Sequence, residues 1–103
     1  MKSLPVYLPE NAIAALTEIG GFIAETSGSV EAAMAFVDRI ERRCHRIGDV
    51  PRGGIARPDL GDGIRMVPFE RSAVILYRLT DDAVEIVNVF YGGRDYQAII
   101  GGE

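Results

Sequence analysis

The segment "SAVILYRLTDDAVEIVNVFY", Ser72–Tyr91, decides the fold of this chain. Its first part, Ser72–Leu79, is a near-continuous apolar run, which is typical of a central strand. Its last part, Val84–Tyr91, is rich in β-branched residues and predicts a second strand. The connection between them, Thr80–Ala83, is a tight polar turn, and strands joined in this way run antiparallel. The sequence therefore predicts a β-meander in the C-terminal half of the chain.

A third strand is predicted upstream of this pair. In "IRMVPFER", Ile64–Arg71, a period of two places Ile64 and Met66 on one face, and Pro68 suggests a sheet edge or a bulge. The preceding residues, Asp49–Gly63, are rich in glycine and proline and predict a loop.

Two helices are predicted before this loop, from Glu10 to about Thr26 and from Val30 to Ile47. In both segments apolar residues recur every three or four positions. The first stripe is Ile13, Leu16, Ile19 or Gly20, and Ile23; the second is Val30, Met34 or Ala33, Val37, Ile40, Cys44 and Ile47. Gly28 suits the end of the first helix, Ser29 the cap of the second, and Gly48 its end.

A short strand is predicted at the start, in "LPVYLP", where the prolines lie at the strand's edges. The element order is then β-α-α-β-β-β. This order predicts a single α+β domain over residues 1–103, with a helical hairpin on one face of a small antiparallel sheet.

The composition excludes several classes of protein. The chain has 103 residues and a net charge of −4, which disfavours direct, specific nucleic-acid binding. No apolar run reaches the roughly 20 residues that span a membrane, and no signal peptide is recognisable, so a cytoplasmic protein is expected. The single cysteine, Cys44, excludes an internal disulfide, and neither a metal site nor a cofactor is predicted.

Charge is unevenly distributed along the chain. Residues 39–78 carry nine arginines and five acidic residues, whereas the segments on either side are acidic. The middle of the chain is either a basic patch or a set of solvated arginines paired with local acids.

Three segments carry motifs in a recognisable order. They are the arginine-rich helix end Arg39–Arg46 followed by "IGDVPRGG", then "GIRMVPFERSAVILYRL" ending in Tyr77-Arg78, and finally "VEIVNVFYGGRDY" with its Gly-x-Arg-Asp ending. Their order and spacing resemble the ParE branch of the ParE/RelE toxin family over nearly the whole chain. Two departures are Tyr91, where many relatives carry histidine, and the acidic net charge.

The resemblance implies a RelE/ParE-like fold and a cytoplasmic toxin of a type II toxin–antitoxin, or plasmid stabilisation, system. Such toxins are held inactive in a hetero-oligomer with an antitoxin, which for this branch is ParD-like. The ParE branch is known for poisoning DNA gyrase, and the RelE branch cuts messenger RNA in the ribosome. One scaffold thus serves two activities, and the choice between them depends on the site.

RNA cleavage through the 2′-hydroxyl needs a general base, a general acid and cations on the phosphate. Matched by strand to the RelE branch, Arg65 and Arg94 remain as phosphate binders. Apolar residues occupy the other matched positions: Val67, Pro68, Val74, Ile99 and Ile100. His45 is predicted to lie on a helix surface among arginines. We therefore expect no catalytic residues and a toxin that is not an enzyme, with a RelE-like ribonuclease as the alternative.

The residues after the last strand are candidates for target binding. Gly92 and Gly93 let the chain leave the sheet at angles that other residues avoid, which would present Arg94. The alternative is a clasp that ties this turn to the helical hairpin. The candidate residues for either role are Arg65, Tyr91, Arg94, Asp95 and Tyr96.

A second candidate surface is for the antitoxin. Grooves beside an amphipathic hairpin suit a partner helix or an added strand. The predicted apolar contacts are Ile13, Leu16, Ile23, Met66 and Phe69, unless these are simply core. An acidic antitoxin segment would suit the arginines Arg39, Arg42, Arg43 and Arg46. A degenerate member that binds its antitoxin and poisons nothing is a third possibility.

Overall fold

The structure, a computed structural model, describes residues 3–92. In this range the strands are β1 (Val6–Tyr7), β2 (Ile55–Ala56), β3 (Ile64–Phe69), β4 (Ala73–Leu79) and β5 (Val84–Tyr91), and the helices are α1 (Glu10–Ser27) and α2 (Val30–Arg46). Short 3-10 helices cover Ile47–Asp49 and Pro58–Leu60. The strands form one sheet in the order β1-β5-β4-β3-β2, and the predicted α+β class is confirmed.

The break between the helices is built as the sequence predicts. Gly28 has φ 72° and its N–H donates to the carbonyl of Ala24, which ends α1. Ser29 accepts a hydrogen bond from the N–H of Ala32 at 3.0 Å, which caps α2. These local interactions force the chain to reverse and produce an antiparallel helical hairpin.

Gly48 has a different role from the predicted one. Helix α2 ends at Arg46, and the chain continues into the 3-10 turn Ile47–Asp49. The carbonyl of Gly48 accepts the N–H of Leu4 at 2.9 Å, and a Cβ at this position would lie 2.2 Å from the Leu4 carbonyl oxygen. Glycine is therefore required here because the N-terminal segment lies against it.

The sheet is mixed, so the prediction of a fully antiparallel sheet is wrong in one pairing. The meander β3-β4-β5 is antiparallel, but β1 pairs parallel with β5, with Val6 opposite Val84. Only a short connection forces neighbouring strands to be antiparallel, and two helices separate β1 from the meander. A further correction is β2, which lies in the predicted loop 49–63 and pairs with β3 at the sheet edge.

The core lies between the hairpin and the sheet. Ala12, Leu16 and Ile19 of α1 and Ile40 of α2 pack against the helix-facing side chains of β4 and β5. A smaller cluster of Ile64, Leu76 and Phe90 lies on the opposite face of the sheet. Neither described helix combines the length and the apolar character that crossing a membrane requires.

The predicted helix stripes are partly wrong. Val30 and Met34 are 65% and 67% exposed, and Ile13 is 46% exposed. Ala33, the predicted alternative to Met34, is buried, and so is Phe36, which the predicted stripe of α2 omits. Apolar spacing identifies a stripe but does not show whether the chain itself covers all of it.

Gly48→Ala tests the close contact with the N-terminal segment. The added methyl group meets backbone rather than a flexible side chain, so we expect the free energy of unfolding to fall by about 1–3 kcal/mol, as in overpacked cores. Gly21→Ala is the control, since an added Cβ there meets nothing within 4 Å and should stabilise α1 by roughly 0.5–1 kcal/mol. Chemical denaturation measures both, and equal effects would contradict the assignment.

Candidate functional site

The outer surface of the helical hairpin contains an apolar groove of about 660 Å³, here called the hairpin groove. The exposed side chains of Ile13, Val30 and Met34 contribute to it. Gly20 allows the two helices to approach, because a Cβ there would lie 3.2 Å from Val37 Cγ2. The full lining is Ile13, Leu16, Thr17, Gly20, Gly21, Ala24, Val30, Ala33, Met34, Val37, Asp38 and Glu41.

A second groove of about 830 Å³, the β5 groove, lies between α1 and the last strand. The Asn11 side chain donates to the Val87 carbonyl at 2.7 Å and ties the start of α1 to β5. The charged residues in its lining are Glu18 and Glu25. The full lining is Asn11, Ala14, Ala15, Glu18, Ile19, Gly21, Phe22, Glu25, Asn88, Val89, Phe90, Tyr91 and Gly92.

Aromatic rings connect the helices to the strand ends beside this groove. Tyr91 makes edge contacts with Phe22 at 5.7 Å and with Phe36 at 5.5 Å between ring centroids. Phe36 makes a similar contact with Phe69 at 5.7 Å. Such pairs add to the stability gained from burial alone. Tyr91 and Phe69, predicted for two different binding surfaces, therefore belong to one aromatic cluster.

An ion pair holds the β3–β4 turn against α2. Arg39 donates two hydrogen bonds to the Glu70 carboxylate, at 2.9 and 3.0 Å, and its guanidinium lies over the Phe36 ring. Hydrogen bonding from Arg39 lowers the pKa of Glu70, and the same contact raises the pKa of Arg39. The turn places Glu70 and Arg71 at φ 49° and 60°, a conformation that favours glycine, and the ion pair helps to hold it.

Arg65 lies at another part of the sheet. Its guanidinium donates to the Arg52 carbonyl at 3.0 Å, and its Nε is buried without a hydrogen-bond partner within residues 3–92. Arg65 pairs with Tyr77 across β3 and β4, whereas Tyr91 pairs with Ala73. Four residues along β4 correspond to roughly 13 Å. The structure therefore does not bring Arg65 and Tyr91 together.

Comparison with known proteins identifies the family. The family described as "ParE toxin of type II toxin-antitoxin system, parDE" matches residues 6–96. The chain belongs to the ParE toxin family. It is similar to Toxin ParE3 of Caulobacter vibrioides, with 35% identity over 79 residues, which are 77% of this chain and 77% of that protein. The predicted ParE-like toxin of a type II toxin–antitoxin system is thereby confirmed.

The fold has a counterpart among solved structures. A chain of the "Chromosomal ParDE TA system from P. aeruginosa" matches with a TM-score of 0.75 and 21% identity, covering 87% of this chain and 97% of that chain. At this identity the match shows the fold alone. The RelE/ParE-like architecture predicted from the sequence is the architecture observed.

The predicted antitoxin contacts of this ParE toxin do not form one surface. Leu16 and Ile23 are buried in the core, whereas Ile13 is exposed in the hairpin groove. Phe69 is half-buried in the aromatic cluster, and Met66 packs on the opposite face of the sheet. The predicted list omits Val30 and Met34, which are the most exposed apolar side chains of the hairpin groove. The helical spacing of Val30 and Met34 was the signal available in the sequence, but it placed both residues on the apolar stripe predicted for the core.

The predicted arginine face is also divided. Arg39 is held by Glu70, and Arg42 pairs with Asp38 one turn earlier on the same helix. Arg43 is half-buried, while Arg46 is exposed. Binding of an acidic antitoxin segment by these arginines stays a prediction. The residues Arg94, Asp95 and Tyr96 lie outside the described residues.

The groups able to transfer protons are dispersed in the described part of this ParE toxin. His45 is exposed on α2, as predicted, and Cys44 is buried in the core, where burial raises its pKa to about 12. The Tyr77 hydroxyl donates to the Pro51 carbonyl and accepts from the Gly54 N–H. Residues 3–92 contain no group of three histidine, cysteine or acidic side chains arranged to hold a metal ion.

Glu70→Gln tests the ion pair through pH. The folded-state pKa of Glu70 is lowered, so its stabilising contribution is full above the ordinary glutamate pKa of about 4.3 and is lost as the pH falls through the folded-state value. We expect the variant to have a lower Tm than wild type at pH 7 and the difference to shrink below about pH 4.3. Thermal melts from pH 3 to pH 7 give this curve.

Arg39→Gln should show the same pH dependence of the Tm difference. The double variant Arg39→Gln/Glu70→Gln should lose no more stability than the sum of the losses in the two single variants. A Tm difference between Glu70→Gln and wild type that is the same at every pH would contradict the role of this ion pair.

Proposed function

We propose that this chain inhibits growth by binding DNA gyrase in the cytoplasm rather than by catalysis, and that a ParD-like antitoxin neutralises it in a hetero-oligomer. The observation that carries the antitoxin proposal is the hairpin groove, where Ile13, Val30 and Met34 are exposed together. Half- to two-thirds-exposed apolar side chains in one groove are a common feature of partner-binding surfaces. An amphipathic helix of the antitoxin, with apolar residues on one face, fits such a groove.

The binding mode of action is supported by the chemistry of the described residues. A ribonuclease needs a base and an acid with pKa values near neutrality, placed beside cations that bind the phosphate. The described groups with shifted pKa values move away from neutrality: Cys44 and Arg39 upward and Glu70 downward. His45 is exposed on α2, whereas Arg65 lies on strand β3.

Met34→Asp tests the antitoxin surface. Burying a methionine side chain contributes about 1.5–3 kcal/mol, so we expect the affinity for the antitoxin encoded beside this chain to fall by roughly 10- to 100-fold. Ala35→Asp is the matched control, because Ala35 is exposed on the same helix and does not line the groove. Calorimetric titration of each variant gives the affinities. Equal losses in the two variants would place the antitoxin elsewhere.

The target is tested by comparing two activities of the purified toxin. We expect the toxin to inhibit DNA supercoiling by gyrase. We expect primer extension to show no codon-positioned cuts in messenger RNA from a translating extract, because the sequence predicts no general base and general acid for RNA cleavage. The antitoxin should relieve the gyrase inhibition, which controls for contaminating activities. Message cleavage that is lost in Arg94→Ala would instead support the RelE-like ribonuclease, since losing one stabilising donor typically costs about 10²–10³ in rate.

A further inference from the structure

The face of the sheet that points away from the helices, here called the outer face, is apolar and buried. Its central residues are Ile64, Leu76 and Phe90, which are 3%, 0% and 5% exposed. An antiparallel sheet with one face open to water alternates apolar and polar residues along its strands. This alternation is missing here, because Val74 of β4 and Val87 of β5 add to the apolar side chains of the outer face. The pattern is that of a face covered by a second layer.

The described residues account for the cover over one corner of the outer face. Leu60, in the 3-10 segment Pro58–Leu60, packs on this face from outside the strands. It lies beside Ile64, since the Ile64 N–H donates to the carbonyl of the next residue, Gly61, at 3.3 Å. Within residues 3–92, no other apolar side chain from outside β3, β4 and β5 packs on the outer face.

Phe90 lies at the opposite corner of the outer face. The register places Phe90 opposite Val74 of β4, and it places Ile64 opposite Arg78, four residues farther along that strand. Four residues span roughly 13 Å, and two strand spacings separate β3 from β5 by roughly 9.5 Å. The two corners are therefore about 16 Å apart. Leu60 cannot cover both corners, so the burial of Phe90 requires a second cover.

The chain supplies further residues directly after Phe90. Strand β5 ends at Tyr91, and the Gly92 N–H donates to the Ser72 carbonyl at 2.9 Å, beside the start of β4. Gly92 has φ 80°, a conformation that favours glycine and turns the chain out of the strand. Residues 93–103, with the sequence "GRDYQAIIGGE", therefore begin at the corner of the sheet where Phe90 lies.

This segment has the length and the apolar residues that a cover requires. Eleven residues reach about 36 Å when extended, which exceeds the distance of about 16 Å between the two corners. Its large apolar side chains are Tyr96, Ile99 and Ile100. The β5 groove is the other surface beside Gly92, but it is open and leaves Phe22 half-exposed. The buried outer face, rather than the open groove, is the surface that has a cover.

We propose that residues 93–103 fold back across the outer face of the sheet, with the large apolar side chains of this segment packed against Leu76 and Phe90. The segment is then tied to the sheet on the side opposite the helical hairpin. It presents Arg94 and Asp95, the candidate residues for target binding, at the corner beside Phe90. This last consequence rests on the proposed function, whereas the packing on the outer face does not.

Nuclear Overhauser effects in the full chain test where the segment lies. Isoleucine methyl groups are labelled, and the signals of Ile99 and Ile100 are assigned through the variants Ile99→Val and Ile100→Val. We expect cross-peaks from these methyl groups to the ring of Phe90. Cross-peaks to the ring of Phe22 instead would place the segment in the β5 groove and overturn the inference. Cross-peaks to neither ring would overturn it as well.

Ile99→Asp/Ile100→Asp tests the contribution of the segment to stability. We expect the Tm to fall by at least about 8 °C, because two buried apolar side chains are lost. Gln97→Asp/Gly102→Asp is the matched control, since it adds two negative charges to the same segment at positions without a large apolar side chain. It should change the Tm by less than about 2 °C.

Circular dichroism measures the Tm of both double variants. Equal shifts in the two variants, or an unchanged Tm in Ile99→Asp/Ile100→Asp, would overturn the packing. If the aspartate variant does not fold, Ile99→Ala/Ile100→Ala replaces it, and its Tm should lie below that of wild type and of the control.

Gyrase inhibition by Ile99→Ala/Ile100→Ala, at a temperature where this variant is folded, tests the positioning of Arg94 and Asp95. We expect inhibition to weaken by roughly tenfold, because the two residues lose their fixed position. The affinity for the antitoxin should stay within about twofold of wild type, because the hairpin groove lies on the other side of the sheet.

The outcomes separate this inference from the proposed function. If the wild-type toxin does not inhibit gyrase, the proposed target fails, and the cross-peaks and the Tm still decide whether the segment packs on the outer face. If the wild type and Ile99→Ala/Ile100→Ala inhibit gyrase equally, the proposed target stands and the positioning of Arg94 and Asp95 is overturned.

Discussion

The central strand β4 is buried on both faces, and the rest of the architecture follows from this constraint. Ile75, Leu76 and Tyr77 are consecutive residues with no exposed surface, so their side chains alternate into two separate apolar environments. The helical hairpin covers one face. On the other face, Leu60 of the 3-10 segment Pro58–Leu60 packs against the cluster that contains Leu76. A chain of this length has few other segments that could cover the two faces of β4.

Tyr77 shows how this burial fixes a loop as well as a core. Its ring is fully buried, but its hydroxyl needs hydrogen-bond partners, which the backbone of Pro51 and Gly54 supplies. Gly54 can approach because a Cβ there would lie 2.6 Å from the Tyr77 hydroxyl oxygen. The same loop then provides the Arg52 carbonyl that holds Arg65. A buried polar atom thus connects the central strand to the loop before β2.

The sequence predicted those features that depend on neighbours in the chain. The cap at Ser29, the end at Gly28 and the β4–β5 hairpin are local interactions, so composition and spacing were enough to identify them. The parallel pairing of β1 and the two-residue strand β2 depend on contacts between distant segments, which periodicity does not encode. The same limit affected the candidate site. The spacing of the arginines on α2 predicted a binding face. Arg39 instead donates hydrogen bonds to Glu70, 31 residues away, and this ion pair holds the β3–β4 turn.

A functional surface in a small domain consists of the groups that its own fold leaves unsatisfied. Helical spacing is the same for a residue that packs on the sheet and for one that packs on a partner, so Ile40 and Met34 look alike in the sequence although one is fully buried and the other is two-thirds exposed. The fold distinguishes Ile40 from Met34, because the sheet covers only one face of the helical hairpin. Charge follows the same reasoning. Arg39 is neutralised within the fold, whereas Glu18 and Glu25 line an open groove, so a partner's chemistry is better inferred from the carboxylates left facing solvent than from the more numerous arginines.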